Sequence, residues 1–270
     1  MNKIVKSPEQ AVADIPNGAT VAIAGFGVAH RFATALICAL RDQGTKELTL
    51  VCNSLGDAGA TRGQILAENN QVKKLIAAFS VRPGTPTASE EQIASGKMDV
   101  ELVPQGILVE RCRAGGAGIA AFYSPTGVHT DLATGREVRT FDGKPYVLEH
   151  AITVDYALLR GYRADTVGNV QFRGGSQNFN PAFAKAARIA IVEVDEIVEP
   201  GVIPPELIDL PGIFVSRVVK TTHVVDGKAW RRPQRRPADQ PRLYDGKPAL
   251  TREGIARNAA RPFRLWRAWS

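Results

Sequence analysis

The chain has 270 residues, 44% of them hydrophobic and 23% charged, which suits one large α/β domain or two small ones. No run approaches eighteen apolar residues, which excludes a membrane-spanning helix, and the opening Met1-Asn2-Lys3-Ile4-Val5-Lys6 lacks an apolar signal core, so a cytoplasmic protein is expected. The net charge of +7 is a property of one end: from Arg231 onward, ten arginines and Lys247 against Asp239, Asp245 and Glu253 leave +8 there and −1 for everything before, so no nucleic-acid-binding face is expected.

In chain order, the segment 19–24 (ATVAIA) follows a Pro-Asn-Gly turn and predicts a buried strand. Phe32, Leu36 and Leu40 then recur every fourth residue, with Ala33 and Ile37 beside them, as one face of a helix would. Strands are predicted over 47–52 (ELTLVC) and 74–79 (KLIAAF), with a polar helical stretch around 64–69 between them. A short helix over 89–95 and a strand over 100–103 follow. Strands spaced by helices imply βαβ crossovers and a parallel sheet. After Gly106 the character changes. The glycine cluster 113–118 (RAGGAG) leads into a turn-rich stretch, and two strands over 137–141 and 146–148, joined by Asp142-Gly143, predict a hairpin. A helix over 181–187, a buried strand over 189–194 (IAIVEV) and a closing strand over 212–219 (GIFVSRVV) complete the domain. The expected fold is α/β: an open, mainly parallel sheet with flanking helices and an antiparallel accessory segment, over 1–227. Residues 228–270 read as a basic, disordered tail with a short helix over 251–260.

Several residues stand out chemically. Gln105 follows Pro104 at a strand end, where a parallel sheet offers its ligand crevice. Its amide suits a developing oxyanion, an effect worth roughly 3–4 kcal/mol in comparable sites, although position alone favours a turn-capping role. Ala24-Gly25-Phe26-Gly27-Val28-Ala29-His30 occupy a strand-to-helix turn whose glycines let backbone N–H groups approach a phosphate, or simply make the turn tight. Gly115, Gly116 and Gly118, with Ser124-Pro125-Thr126-Gly127, make either a wall beside a bound acyl group or a demanding loop packed on a partner. Asn178 and Asn180 are expected to brace a turn. Glu193, Asp195, Glu196 and Glu199 cluster, but strand alternation separates neighbouring side chains, which favours a structural role. Cys38, Cys52 and Cys112 form no CxxC pair and read as reduced thiols; the four histidines are scattered and write no metal site.

The blocks Val103-Pro104-Gln105-Gly106-Ile107-Leu108, 113–118, Ala121-Phe122-Tyr123-Ser124-Pro125-Thr126-Gly127, Gly168-Asn169-Val170 and Asn178-Phe179-Asn180, in this order and spacing, resemble the α (A) subunits of family I CoA-transferases acting on 3-oxo acids, acetoacetate and 3-oxoadipate. The likeness covers residues 12–219. It implies that Gln105 is half of an oxyanion hole for the thioester carbonyl, that residues 24–30 contact CoA, and that Asn53 and the three glycines border the substrate. In the CoA signature this chain keeps Gly25 and Phe26 and departs at Ala24, His30 and Phe32. CoA thioesters are then substrates, and no cofactor is held permanently. The family's nucleophilic glutamate lies in a Ser-Glu-Asn-Gly context on a β subunit or a second fused domain, and no such tetrapeptide occurs here. The resemblance therefore implies a chain active only in a heterodimer or heterotetramer with a β subunit, moving CoA from an acyl-CoA such as succinyl-CoA to a 3-oxo acid such as acetoacetate. A subunit of an acyl-CoA hydrolase and a diverged non-catalytic scaffold are the alternatives. The stretch 250–257 (LTREGIAR) looks like the opening of a β subunit, so the tail is expected to be the remnant of an α–β fusion.

Overall fold

A computed structural model describes residues 2–26, 32–56, 62–80 and 86–221, with the backbone of four two-residue strands at 224–225, 228–229, 243–244 and 247–248. The elements run β1 (Ile4–Val5), α1 (Pro8–Val12), β2 (Thr20–Ile23), α2 (Thr34–Gln43), β3 (Leu48–Cys52), α3 (Gln64–Glu68), β4 (Val72–Ala77), α4 (Ala88–Ala94), β5 (Asp99–Leu102) and α5 (Gln105–Gly116). Then come β6 (Ala121–Ser124), β7 (Val138–Phe141), β8 (Lys144–His150), β9 (Val154–Arg160), β10 (Arg163–Asp165), β11 (Val170–Gln171), α6 (Asn180–Ala186), β12 (Ala187–Val194), β13 (Glu196–Val198) and β14 (Arg217–Lys220).

Eight strands form one sheet in the order β1-β14-β12-β9-β2-β3-β4-β5, and every neighbouring pair is parallel. Alternation along each strand divides its side chains between two cores. Val21, Ile23, Leu48, Leu50 and Leu158 face the α1–α3 side with Leu36, Leu40 and Leu66. Ala22, Val51, Ala157, Leu159 and Val192 face α5 and α6 with Leu108, Cys112 and Phe183. Both faces of the sheet are covered, as a parallel sheet requires. A separate antiparallel sheet, β6-β8-β7, is the expected accessory piece.

The structure corrects three expectations. The central strand β9 was not legible in the sequence, because Asp155 and Arg160 interrupt what would otherwise be an apolar run. Asp155 accepts a hydrogen bond from the Thr20 N–H at 2.9 Å, and Arg160 is neutralised inside the core by Glu193 and Asp195. The glycines at 115 and 116 end a helix and do not form a loop. The closing strand begins only at Arg217, with Gly212–Phe214 forming a 3-10 turn before it. The chain divides into two units, Met1–Trp230 and Arg231–Ser270. In the second, Leu243–Tyr244 pairs antiparallel with Lys247–Pro248; the rest of the tail, including the helix expected over 251–260, lies outside the described residues. No helix of the described residues is long and apolar enough to cross a membrane.

Candidate active site

The chain winds from β2 through β3 and β4 to β5 on one side, and from β9 through β12 to β14 on the other. The order reverses between β2 and β9, and a parallel sheet opens its ligand crevice at the carboxyl ends of the strands around such a switch. Ala24, Gly25 and Phe26 follow β2 at that end, Asn53 follows β3 and Gln105 follows β5. Gln105 is the first residue of α5, and its Nε2 donates to Asn53 Oδ1 at 2.5 Å. Asn53 is buried, and its carbonyl oxygen accepts from the Ala78 and Phe79 N–H groups, both at 3.1 Å. The amide that holds Gln105 is thus fixed between the ends of β3 and β4. A primary amide has two N–H donors. With one directed at Asn53, Gln105 keeps a second that a carbonyl oxygen could accept. No side chain caps α5, so the positive end of its dipole adds to the attraction for negative charge beside Gln105.

Gln105 opens onto a cleft of about 650 Å³. Phe26 from the β2 turn, Ile107 and Val109 from α5, Ser124 at the end of β6 with Thr126 beyond it, and Asn178 and Phe179 before α6 line it. The apolar wall is a chain of rings: Phe26 and Phe179 lie 6.1 Å apart, and Phe179 stacks on Phe183 at 5.5 Å. Asn178 adopts φ +23°, a region favouring glycine. Its side chain makes this tolerable, accepting from the Phe179 N–H at 2.7 Å and donating to the Ser176 carbonyl at 3.1 Å. Asn180 donates to the same carbonyl at 2.8 Å, so both asparagines brace the turn as expected.

The other candidates divide. Of the glycine cluster and the turn that follows it, Ser124 and Thr126 reach the cleft, whereas Gly115, Gly116 and Gly118 sit at or beyond the far end of α5 and do not line it. A Cβ on Gly115 would lie 2.2 Å from the Ile152 carbonyl oxygen, and one on Gly116 would lie 2.7 Å from Lys185. These glycines let α5 approach neighbouring backbone. Ala24 is buried, with its N–H donating to the Leu158 carbonyl at 3.1 Å. Gly25 has φ +140°, and a Cβ there would meet the Phe32 ring at 2.2 Å; the departure to Phe32 thus fills the space over the turn glycine. Gly27, Val28, Ala29 and His30 lie outside the described residues.

The acidic cluster is structural. Glu193 on β12 and Asp195 just past its end converge on the buried Arg160: Glu193 Oε1 lies 3.3 Å from Nη1, and Asp195 bonds Nη2. Glu196 belongs to the small sheet and accepts from the Tyr162 hydroxyl at 3.3 Å. Burial pushes Glu193 above its ordinary value, opposed by Arg160 and by the backbone amides it accepts. Burial also drives Cys52 and Cys112 up to about 12, so both stay thiols at neutral pH. Among the described residues, no three His, Cys, Asp or Glu side chains are placed to hold a metal ion. Sequence reasoning missed Arg160, whose only signal was a lone arginine closing an apolar run, and the cleft residues Ile107, Val109 and Glu110, whose helical periodicity was hidden by the glycines that follow.

The profile of the coenzyme A transferase family matches residues 5–221. The A subunit of a probable succinyl-CoA:3-ketoacid coenzyme A transferase from Bacillus subtilis is 47% identical over 219 residues, covering 81% of this chain and 90% of the relative. The A subunit of the succinyl-CoA:3-ketoacid coenzyme A transferase from Helicobacter pylori is 43% identical over 220 residues, covering 82% and 93%. Among solved structures, an acyl-CoA transferase of Escherichia coli O157:H7 in a thioester complex with CoA superposes with a TM-score of 0.71 at 24% identity, over 82% of this chain and 47% of that one. Glutaconate coenzyme A-transferase from Acidaminococcus fermentans gives 0.69 at 21%, over 81% and 75%. At these identities the structural likenesses speak to the fold.

Proposed function

The chain belongs to the coenzyme A transferase family, and from that premise we propose that it is the α subunit of a cytoplasmic enzyme moving CoA from succinyl-CoA to a 3-oxo acid such as acetoacetate. The transferase activity follows from the family and from relatives named as A subunits; the substrates, the β partner and the residue roles are our reading. The observation that carries it is Gln105, fixed by Asn53 at the mouth of an apolar cleft on the carboxyl edge of the sheet.

In this reading a glutamate of the β chain attacks the thioester carbonyl, and the spare Gln105 N–H receives the negative charge that develops on its oxygen. CoA thiolate leaves and an acyl-glutamyl anhydride forms. The thiolate then attacks the glutamyl carbonyl, releasing succinate and leaving a glutamyl-CoA thioester. The acceptor acid reverses both steps and departs as its CoA ester, so no permanent cofactor is consumed. Phe26 and Phe179 exclude water, which would otherwise divert the intermediates to hydrolysis.

The test is acetoacetyl-CoA formation from succinyl-CoA and acetoacetate by the purified chain, alone and with its β partner. Turnover should require both chains. Full activity from this chain alone overturns the half-site, and release of free CoA without acyl-CoA product would make the pair a hydrolase.

A further inference from the structure

The amides that open α2 already have an acceptor, and it comes from the protein. Glu193 is 1% exposed on β12. Its Oε2 accepts from the Ala35 N–H at 2.9 Å and the Leu36 N–H at 3.2 Å, the second and third residues of α2. Its other oxygen faces Arg160, which is itself fully buried at the end of β9. The backbone N–H of Arg160 donates to Asn180 Oδ1 at 3.0 Å. One buried group of residues therefore ties the first turn of α2 to the turn before α6, which carries one wall of the cleft. Asn178 and Phe179, which line the cleft, lie on the turn that Asn180 closes.

A helix N-terminus is a ready-made phosphate site, and a connection carrying Gly25 invites that reading of α2. A phosphate taking the Ala35 and Leu36 amides would have to displace the Glu193 carboxyl and bring its own negative charge into the core. Buried charges are costly, and breaking their pairing more so. We infer that Glu193 is a positioning residue: it serves as the internal acceptor of α2, holds the cleft wall of Asn178 and Phe179 through Arg160 and Asn180, and leaves the phosphates of the CoA thioester to groups other than the Ala35 and Leu36 amides. The last part rests on the proposed acyl-CoA function.

The experiment compares Glu193→Ala and Glu193→Gln with the parent chain in the complex with its β partner. Succinyl-CoA and succinyl-pantetheine, the same thioester without phosphates, are the two donors. Glu193→Ala should raise KM for both by the same factor, about tenfold, with kcat changed far less. Glu193→Gln, which keeps a carbonyl acceptor for the two amides, should recover most of the loss. A KM for succinyl-CoA that falls relative to that for the pantetheine thioester means the vacated amides capture phosphate and overturns the inference; unchanged KM values for both donors overturn it as well. Amide hydrogen exchange at Ala35 and Leu36 reads the same contact without turnover. It should be unaltered when CoA is added to the parent complex and at least about tenfold faster in Glu193→Ala; added protection by CoA at these two amides defeats the inference even if the alanine variant does not fold. A parent complex inert on both donors would defeat the proposed function, whereas the exchange comparison between parent and variant still decides the role of Glu193.

Discussion

Replacing Gln105 with alanine separates chemistry from folding more cleanly than any other substitution in this chain. The side chain is half-buried at the first position of α5, where alanine is a good helix former. What stability it supplies comes from its hydrogen bond to Asn53, about 1 kcal/mol net for such a contact. For a domain of this size that corresponds to a melting shift of roughly 2–4 °C. The catalytic loss should be much larger. Removing one preorganised oxyanion donor costs about 10²–10³ in kcat, or roughly 3–4 kcal/mol of transition-state stabilisation. Gln105→Glu keeps the size but can only accept when ionised, so it should be no better than alanine. The assay is steady-state transfer from succinyl-CoA to acetoacetate in the complex with the β partner, alongside thermal melts of the same preparations. Unchanged kcat in Gln105→Ala refutes the oxyanion role. So does a loss of activity accompanied by an equal loss of stability, since that would place Gln105 in the scaffold and not in the chemistry.

Two further substitutions probe the frame. Gly115→Ala drives a Cβ to 2.2 Å from the Ile152 carbonyl oxygen, a backbone atom that cannot rotate away, and should destabilise by roughly 1–3 kcal/mol with KM for the acyl-CoA unchanged; a KM effect without a melting shift would return Gly115 to the substrate pocket. Asp14 is held below its ordinary 3.8 first by the hydrogen bond from Arg217. A depressed carboxylate contributes stability that is present above the unfolded value and lost as pH falls through the lower folded value. The melting difference between the parent and Asp14→Asn should therefore be flat from about pH 5 to 8 and shrink below about pH 4; a difference that grows on acidification would reverse the assignment.

How much of this was legible depends on what each residue's signal was. The strands over Thr20–Ile23 and Leu48–Cys52 declared themselves because nothing charged interrupts them. β9 did not, although it is central, because its Arg160 finds its partners 33 and 35 residues later, on Glu193 and Asp195. Pairing across that separation is invisible to any local pattern. The same limit applies to α5: Gln105 was readable from its place after Pro104, but the glycines at its far end looked like a loop. Isolated glycines cost a helix about 1 kcal/mol each, and only the close approach to Ile152 and Lys185 shows why the helix continues through them. Asn53 stood out only through the family resemblance; its bond to Gln105 was not readable, because the two are 52 positions apart.

The location of the nucleophile can be argued from the cleft itself. Among the described residues that line it, Glu110 is the one carboxylate. It follows Gln105 by five positions on the same helix, which turns it by about 140° and raises it by about 7.5 Å relative to Gln105. Residues share a helix face at spacings of three or four, not five. A thioester whose oxygen accepts from Gln105 must present its carbon within about 3–3.5 Å of the attacking oxygen, and Glu110 is turned away from that position. It is also engaged, accepting from Arg113 Nε at 2.7 Å on the exposed side of the helix. Glu110→Gln should therefore keep kcat within about threefold of the parent, whereas loss of the glutamate proposed for the β chain should abolish turnover. If Glu110→Gln instead abolishes transfer with the fold intact, and the glutamyl-CoA intermediate trapped with borohydride maps to this chain, the nucleophile belongs to α5 and the cleft is a whole active site.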